Sequence, residues 1–381
     1  MSEYIVDRLG QLGDGIIDTP NGEIFAPFTL PGEHIEGNVE NGRVNSPKII
    51  KPVSDRIKPA CKHFKSCGGC SLQHASDTVI SDWKIRKTQD ALSQVNLHPE
   101  FRPIINSKAG SRRRATFAAK RTKKGALVGF HGRASDVIIE ISECPISDPI
   151  LLSGMPAFSQ FAILGSSRKA VLRISATVSG NSLDVKIDNG KKLSATEISK
   201  FAQICNQFKI LRLMWNDDVI AQSNPPSQKM GLADVIPPSG AFLQATKSGE
   251  AALIKTVLEI IGPSKRVVDL FAGCGTFALP ISSKATVHAL EGDANMIAAL
   301  DSGWRAAGGL HDIKSETRDL FRRPLMPDEF KKIDAIVIDP PRAGAVSQVV
   351  EIAKANVSRI AFVSCNPATF ARDASILCNN G

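Results

Sequence analysis

The chain has 381 residues, enough for two or three domains with apolar cores of their own. Hydrophobic residues make up 43%, yet no run is long enough to span a bilayer, and the opening MSEYIVDRLG has no basic-then-apolar leader, so a cytoplasmic protein is expected. Lys and Arg number 47 against 38 Asp and Glu, and the net charge of +9 fits a polyanionic partner without requiring one.

Residues 1 to about 56 read as all-β. Short β-prone runs are broken by Gly, Asn, Asp and Pro, with turn pairs at Asn21-Gly22 and Pro31-Gly32. Five short strands in this length predict a small barrel of the oligonucleotide-binding kind. A purely structural barrel is the plainer alternative.

Residues 57 to about 235 form a mixed middle. CKHFKSCGGC brings Cys61, Cys67 and Cys70 within ten positions. Three cysteines cannot all pair as disulfides, and in a reducing compartment such a cluster points to a metal. The seven histidines are scattered and show no ligand spacing. SDTVISDWKIRKTQDALSQV predicts a helix starting near Ser76 or Asp77. VLRISATVSGNSLDVKID predicts two strands around Gly180-Asn181, and ILRLMWNDDVIAQS a hairpin around Asn216-Asp217-Asp218. The basic runs Arg112-Arg113-Arg114 and Lys120 to Lys124 are candidate phosphate contacts, or an ordinary solvated face. His63, Phe64 and Trp83 could stack on bases, although packing explains each as well.

Residues 236 to 381 alternate strand and helix, which predicts a parallel sheet from RVVDLF, TVHALE, IKSET, DAIVID and RIAFVS. VVDLFAGCGTFALPI reads as a buried strand carrying Asp269, a turn with Gly273 and Gly275, then a helix whose N-terminus a ligand can approach. Glu291 ends the next strand, placed to accept from ribose hydroxyls. Position 278 is Ala, so the dinucleotide GxGxxG spacing is absent. That favours a single adenosine nucleoside, as in S-adenosylmethionine, over NAD. IVIDPPRAG ends the fourth strand at Asp339, and FVSCNPATFARDA puts Cys365 at the tip of the fifth. A cysteine at a strand end, before a helix N-terminus that favours thiolate, reads as a nucleophile.

In their order along the chain, GDGI, FTLPGE, CKHFKSCGGCSLQHA, SRRRATFAAK, GAFLQAT, DLFAGCGTF, DPPRAG and SCNPATFARD give the sequence its family likeness. It resembles the RNA 5-methyluridine methyltransferases, above all the bacterial 23S ribosomal RNA members, over nearly its whole length. The resemblance implies an α/β plus β architecture: a TRAM barrel at 1–56, a middle domain at 57–235 and a Rossmann-like class I methyltransferase domain at 236–381. It implies a [4Fe–4S] cluster on Cys61, Cys67, Cys70 and Cys144, although four thiolates suit zinc equally on chemistry alone. It also implies Cys365 as nucleophile, with Gln244, Phe271, Gly273, Gly275, Glu291, Asp319 and Asp339 around S-adenosylmethionine.

The implied partner is RNA, with a monomeric enzyme acting on 23S rRNA, or on tRNA as the alternative. The Cys365 loop lacks the Pro-Cys pair of cytosine enzymes. The family's proton-removing base is a glutamate some tens of residues beyond the nucleophile. Here 16 residues follow Cys365 and none is Glu. A truncated chain is therefore expected, one that does not turn over as it stands. A non-catalytic RNA-binding module is the remaining alternative.

Overall fold

The computed structural model describes residues 2–380. The chain divides into two compact units, one built from residues 1–90, 100–104 and 129–145, the other from 91–99, 105–128 and 146–381. The middle segment expected at 57–235 contributes to both.

In the first unit the opening residues are all strand and turn. Ser2–Ile5, His34–Gly37 and Lys48–Lys51 form one small antiparallel sheet. Arg8–Leu9, Gly15–Thr19, Gly22–Ala26, Arg43–Val44 and Val39–Glu40 form a second. Eight strands stand where five were expected, because three of them are only two residues long. Val6, Ile17, Ala26, Ile35 and Val44 fill the space within. The helix Asp77–Ser93 starts where Ser76 accepts from the Val79 N–H at 3.3 Å, as an N-cap should. A hairpin pairs Gly129 with Glu140 and His131 with Ile138.

Besides a short two-stranded sheet, Gln228–Met230 with Ala233–Val235, the second unit holds two large sheets. In one, Arg114–Arg121, Leu172–Ser179, Ser182–Asp188, Ile210–Trp215 and Asp218–Gln222 lie in that order, and the turn at Gly180-Asn181 is where the sequence placed it. Helices Met155–Gly165 and Ala195–Gln207 cover it ring to ring: Phe158 meets Phe117, and Phe201 meets Phe161 and Trp215. Ser194 and Glu197 close a capping box on the second helix. Arg212 grips the buried Asp184 through both carboxylate oxygens, at 2.8 and 2.7 Å. Burial still pushes that carboxyl above its usual range.

The other sheet is parallel throughout, in the order Ile313–Thr317, Thr286–Glu291, Arg266–Leu270, Ala335–Ile338, Arg359–Phe362. All five strands fall on the predicted runs. Alternate residues feed cores on opposite faces: Val267, Ala335 and Val337 on one side, Val268, Ile336 and Ile338 on the other. Such two-sided burial explains why these strands read as continuous apolar runs. One expectation is corrected. The helix after the glycine turn is a single turn, Ala278–Ile281, because Pro280 lies within it and cannot extend the hydrogen-bond ladder.

Candidate active site

The parallel register brings the chemistry-bearing residues of this sheet to one edge. Leu270 pairs with Leu290 on one side and with Ile338 on the other, and Ile338 pairs with Phe362. Phe271, Glu291 and Asp339 are therefore each the first residue to reach the carboxyl end of its strand, and Cys365 lies three residues past Phe362. In open parallel sheets this edge is where ligands bind.

The glycine turn is shaped for close approach. Gly273 and Gly275 have φ of +58° and +99°, values that side-chain-bearing residues resist. A Cβ on Gly273 would meet no atom within 4 Å among the described residues, so the turn faces open space. Glu291 is bound on both oxygens, by the N–H groups of Gly273 and Asp293, each at 3.0 Å. Phe271 itself takes a φ of +61°, a strained value for an aromatic residue. Its ring lies 5.5 Å from that of Phe321, which is exposed. Nothing in the sequence singled out Phe321, since a lone aromatic in a loop has no pattern. Asp319 accepts from the N–H groups of Phe321 and Arg322 at 3.0 and 3.3 Å, and so shapes the turn that presents that ring.

Three carboxylates share this edge. Asp269 is fully buried and neither oxygen has a hydrogen-bond partner in good geometry, although the Ala278 N–H acts to favour its ionised form. Burial pushes it well above the usual carboxylate range, and the charges of Asp339 and Glu291 push the same way. Burial raises Asp339 to about 6. The Gln244 side-chain amide donates to Asp339 at 3.4 Å. The three groups repel one another's charge, and a cationic ligand at this edge would favour their ionised forms.

The Asp339 loop and the Cys365 loop are clamped together. Asn366 and Thr369 donate to the Arg342 carbonyl at 3.1 and 3.2 Å, and Arg372 to the Ala343 carbonyl at 3.0 Å. Asp373, buried, accepts from the Ala345 N–H at 2.8 Å. Cys365 itself is exposed. The result is an exposed thiol on a loop tied by hydrogen bonds to the loop that follows Asp339.

In the first unit the cysteine loop is laced to the segment that carries Cys144. Gly68 N–H donates to the His131 carbonyl at 2.9 Å, Lys62 N–H to Glu143 at 3.2 Å, and His63 meets Ser142 at 3.1 Å. Burial first, and then the neighbouring thiols, raise Cys67 and Cys70, and Cys144 acts on both. Among the described residues, no three His, Cys, Asp or Glu side chains are gathered to hold one metal ion.

Several nucleic-acid candidates are corrected. Arg113 is 3% exposed and turned inward onto Glu250, so it is no phosphate contact. Arg114 bonds the Leu243 carbonyl and stacks over Phe242, while Arg112 is exposed. Lys123 and Lys124 are exposed on a turn closed by Thr122 and Gly125. Phe64 is 3% exposed, packed on Phe28 and His74 at 5.1 and 5.5 Å, and unavailable to a base. Trp83 is half-buried and donates to the Gly10 carbonyl at 3.1 Å.

The profile of the tRNA (Uracil-5-)-methyltransferase family matches residues 211–380. An uncharacterized RNA methyltransferase of Rhizobium meliloti (strain 1021) is 42% identical over 380 residues, covering 98% of this chain and 91% of the relative. The 23S rRNA (uracil(1939)-C(5))-methyltransferase RlmD of Aromatoleum aromaticum is 28% identical, covering 99% and 93%. Among solved structures, the Pyrococcus abyssi tRNA (uracil-54, C5)-methyltransferase bound to S-adenosyl-L-homocysteine superposes with a TM-score of 0.76. It is 20% identical, with coverage of 98% of this chain and 92% of that one.

Proposed function

The chain belongs to the RNA (uracil-C5) methyltransferase family, whose methyl donor is S-adenosylmethionine, and from that premise we propose that it methylates uracil C5 in 23S ribosomal RNA through a covalent adduct on Cys365. The observation that carries the reading is the pair of loops bonded to each other at the carboxyl ends of neighbouring strands, one opening with Asp339 and the other carrying the exposed Cys365.

Uracil C5 is a weak nucleophile. Addition of the Cys365 thiolate to C6 pushes electron density onto C5, which then accepts a methyl group. When bound, S-adenosylmethionine supplies that methyl group. Release of Cys365 would require loss of the C5 proton to a base, the role the family resemblance gives to a glutamate beyond the nucleophile, and would reform the double bond. The uridine must be flipped out of its stack to reach the thiol.

Gln244, Phe271, Gly273, Gly275, Glu291, Asp319 and Asp339 are the residues proposed to hold the nucleoside and its charged tail. The orphaned Asp269 and the open cradle at Gly273 support a cationic nucleoside there.

A dependence on pH follows. Burial disfavours the charge on Asp339 and raises it to about 6. A sulfonium ligand favours the ionised form, so below that value binding must first expel a proton. Calorimetry is expected to show affinity for S-adenosylmethionine rising from about pH 5 to about pH 7 and levelling above, with a limiting slope of about tenfold per unit. Asp339→Asn should flatten the profile. A flat profile in the unaltered chain would remove Asp339 from the ligand's surroundings.

Cys61, Cys67, Cys70 and Cys144 are proposed to hold a [4Fe–4S] cluster. Tetrahedral zinc, with Zn–S of about 2.3 Å, needs sulfurs about 3.8 Å apart. The four thiols here sense one another's charge but are not gathered for one ion. The cluster reading rests on the family resemblance and the charge coupling of the four thiols, and four thiolates are the ligand set such a cluster takes. When bound it would anchor the loop, with no role in methyl transfer. The small sheets of residues 2–51 are read as the TRAM barrel, a further RNA contact.

The substrate assignment leans on the ribosomal RNA relative and is tested by nucleoside analysis. RNA from a deletion strain should lack 5-methyluridine at a 23S position. Loss from tRNA alone would move the substrate to tRNA, and no loss from either RNA would overturn the proposal.

A further inference from the structure

Arg113 lies in a run of three arginines, yet its side chain ties together three separate segments of the interior. Its guanidinium pairs with Glu250 in the first turn of the helix Lys247–Ile261. Its Nε donates to the Gln244 carbonyl at 3.0 Å, and Nη1 reaches Gln228 Oε1 at 3.5 Å. The Arg113 backbone N–H donates to the Ala245 carbonyl at 2.9 Å. Gln228 in turn donates to the Val178 carbonyl at 2.8 Å, and the Val178 N–H returns to the Arg113 carbonyl at 2.8 Å. The main chain of Gln244 and Ala245 is thus held from one residue, while the Gln244 side chain reaches Asp339.

A buried arginine–glutamate pair is a weak device for stability, because desolvation offsets most of the attraction. What a guanidinium offers is direction, with five donors in one rigid plane. Lysine, with a single ammonium, could face Glu250 but could not also span to the Gln244 carbonyl.

We propose that Arg113 is a positioning residue for the ligand pocket, acting through Gln244 to aim its amide at Asp339. This rests on the reading of that pocket as the S-adenosylmethionine site. Arg113 touches no reacting atom. It sets the place of the strand-to-helix segment on which Gln244 rides.

The test uses the full chain, calorimetric affinity for S-adenosylhomocysteine, and thermal unfolding. The unaltered chain should bind; if it does not, the pocket reading fails and the inference with it. Arg113→Lys keeps the charge opposite Glu250. It should unfold within a few degrees of the unaltered chain, yet bind about fivefold more weakly, the worth of one lost hydrogen bond. Gln244→Ala should weaken binding too, and Arg113→Lys added to it should cause no further loss, because both act through one side chain. Binding by Arg113→Lys within about twofold of the unaltered chain, or losses that multiply in the double variant, would overturn the inference while leaving the pocket reading intact. Should Arg113→Lys not fold, the pair Arg113→Met with Glu250→Leu removes the buried charges together and carries the same comparison. Misfolding of that pair as well would assign Arg113 to stability alone and also overturn it.

Discussion

Cys365→Ala is expected to lose methyl transfer by roughly 10³-fold or more in a single-turnover assay, while S-adenosylmethionine still binds. The two effects separate because the thiol and the nucleoside pocket stand on different strand ends. Glu291, Gly273 and Phe271 lie past Leu270 and Leu290, whereas Cys365 lies past Phe362 on the edge strand. The loop is braced by Asn366, Thr369, Arg372 and Asp373, none of which bonds the Cys365 thiol, so its truncation leaves the brace standing. The loss is chemical: without addition at C6, C5 stays too weak a nucleophile to take a methyl group. Electrophoresis under denaturing conditions supplies the second readout. The unaltered chain should form a protein–RNA species that resists denaturation when RNA and methyl donor are both present, and Cys365→Ala should form none. Methyl transfer retained by that variant would rule out the covalent route, whatever the RNA.

The second large effect concerns the cysteine loop. Protein purified without oxygen should be brown, with broad visible absorption, and Cys144→Ser should bleach it. Cys144 stands 74 residues beyond Cys70, and the backbone ties from Gly68 to His131 and from Lys62 to Glu143 bring its segment to the loop. Serine keeps the size but offers an oxygen in place of a soft thiolate, and iron–sulfur clusters are held by thiolates. The same ties predict where the damage stops. Phe64 sits in a ring cluster with Phe28 and His74, so the loop keeps its apolar anchor in the variant. The chain should therefore still fold while losing its colour. A colourless unaltered protein carrying one zinc would sink the cluster assignment and leave the four ligands as they are.

Much of this site was legible before any coordinates. The five apolar runs of the parallel sheet could be read in place, since burial on both faces leaves no polar alternation to confuse them. Asp339 and Cys365 could be placed at strand ends because prolines follow each closely and forbid the strand to continue. Gly273 and Gly275 announced a turn that other residues would strain. Less was legible where a side chain's role depends on a distant partner. Phe64 looked available for stacking, and nothing nearby in sequence says that Phe28 and His74 enclose it. The helix after the glycine turn shrank to four residues because Pro280 outweighed an otherwise apolar, helix-like run.

The three arginines at 112–114 draw the line most sharply. The sequence by itself determined that neighbouring residues entering a strand point to opposite faces, a consequence of the two-residue repeat of extended backbone. It could not say which face is inside. Only the tertiary structure decided that, by bringing Glu250 up from 137 residues away to meet Arg113, and leaving Arg112 to solvent. The reason is energetic: a guanidinium enters a protein interior only where a carboxylate and carbonyls wait for it, and those partners are assembled by the fold and not by the chain's local order.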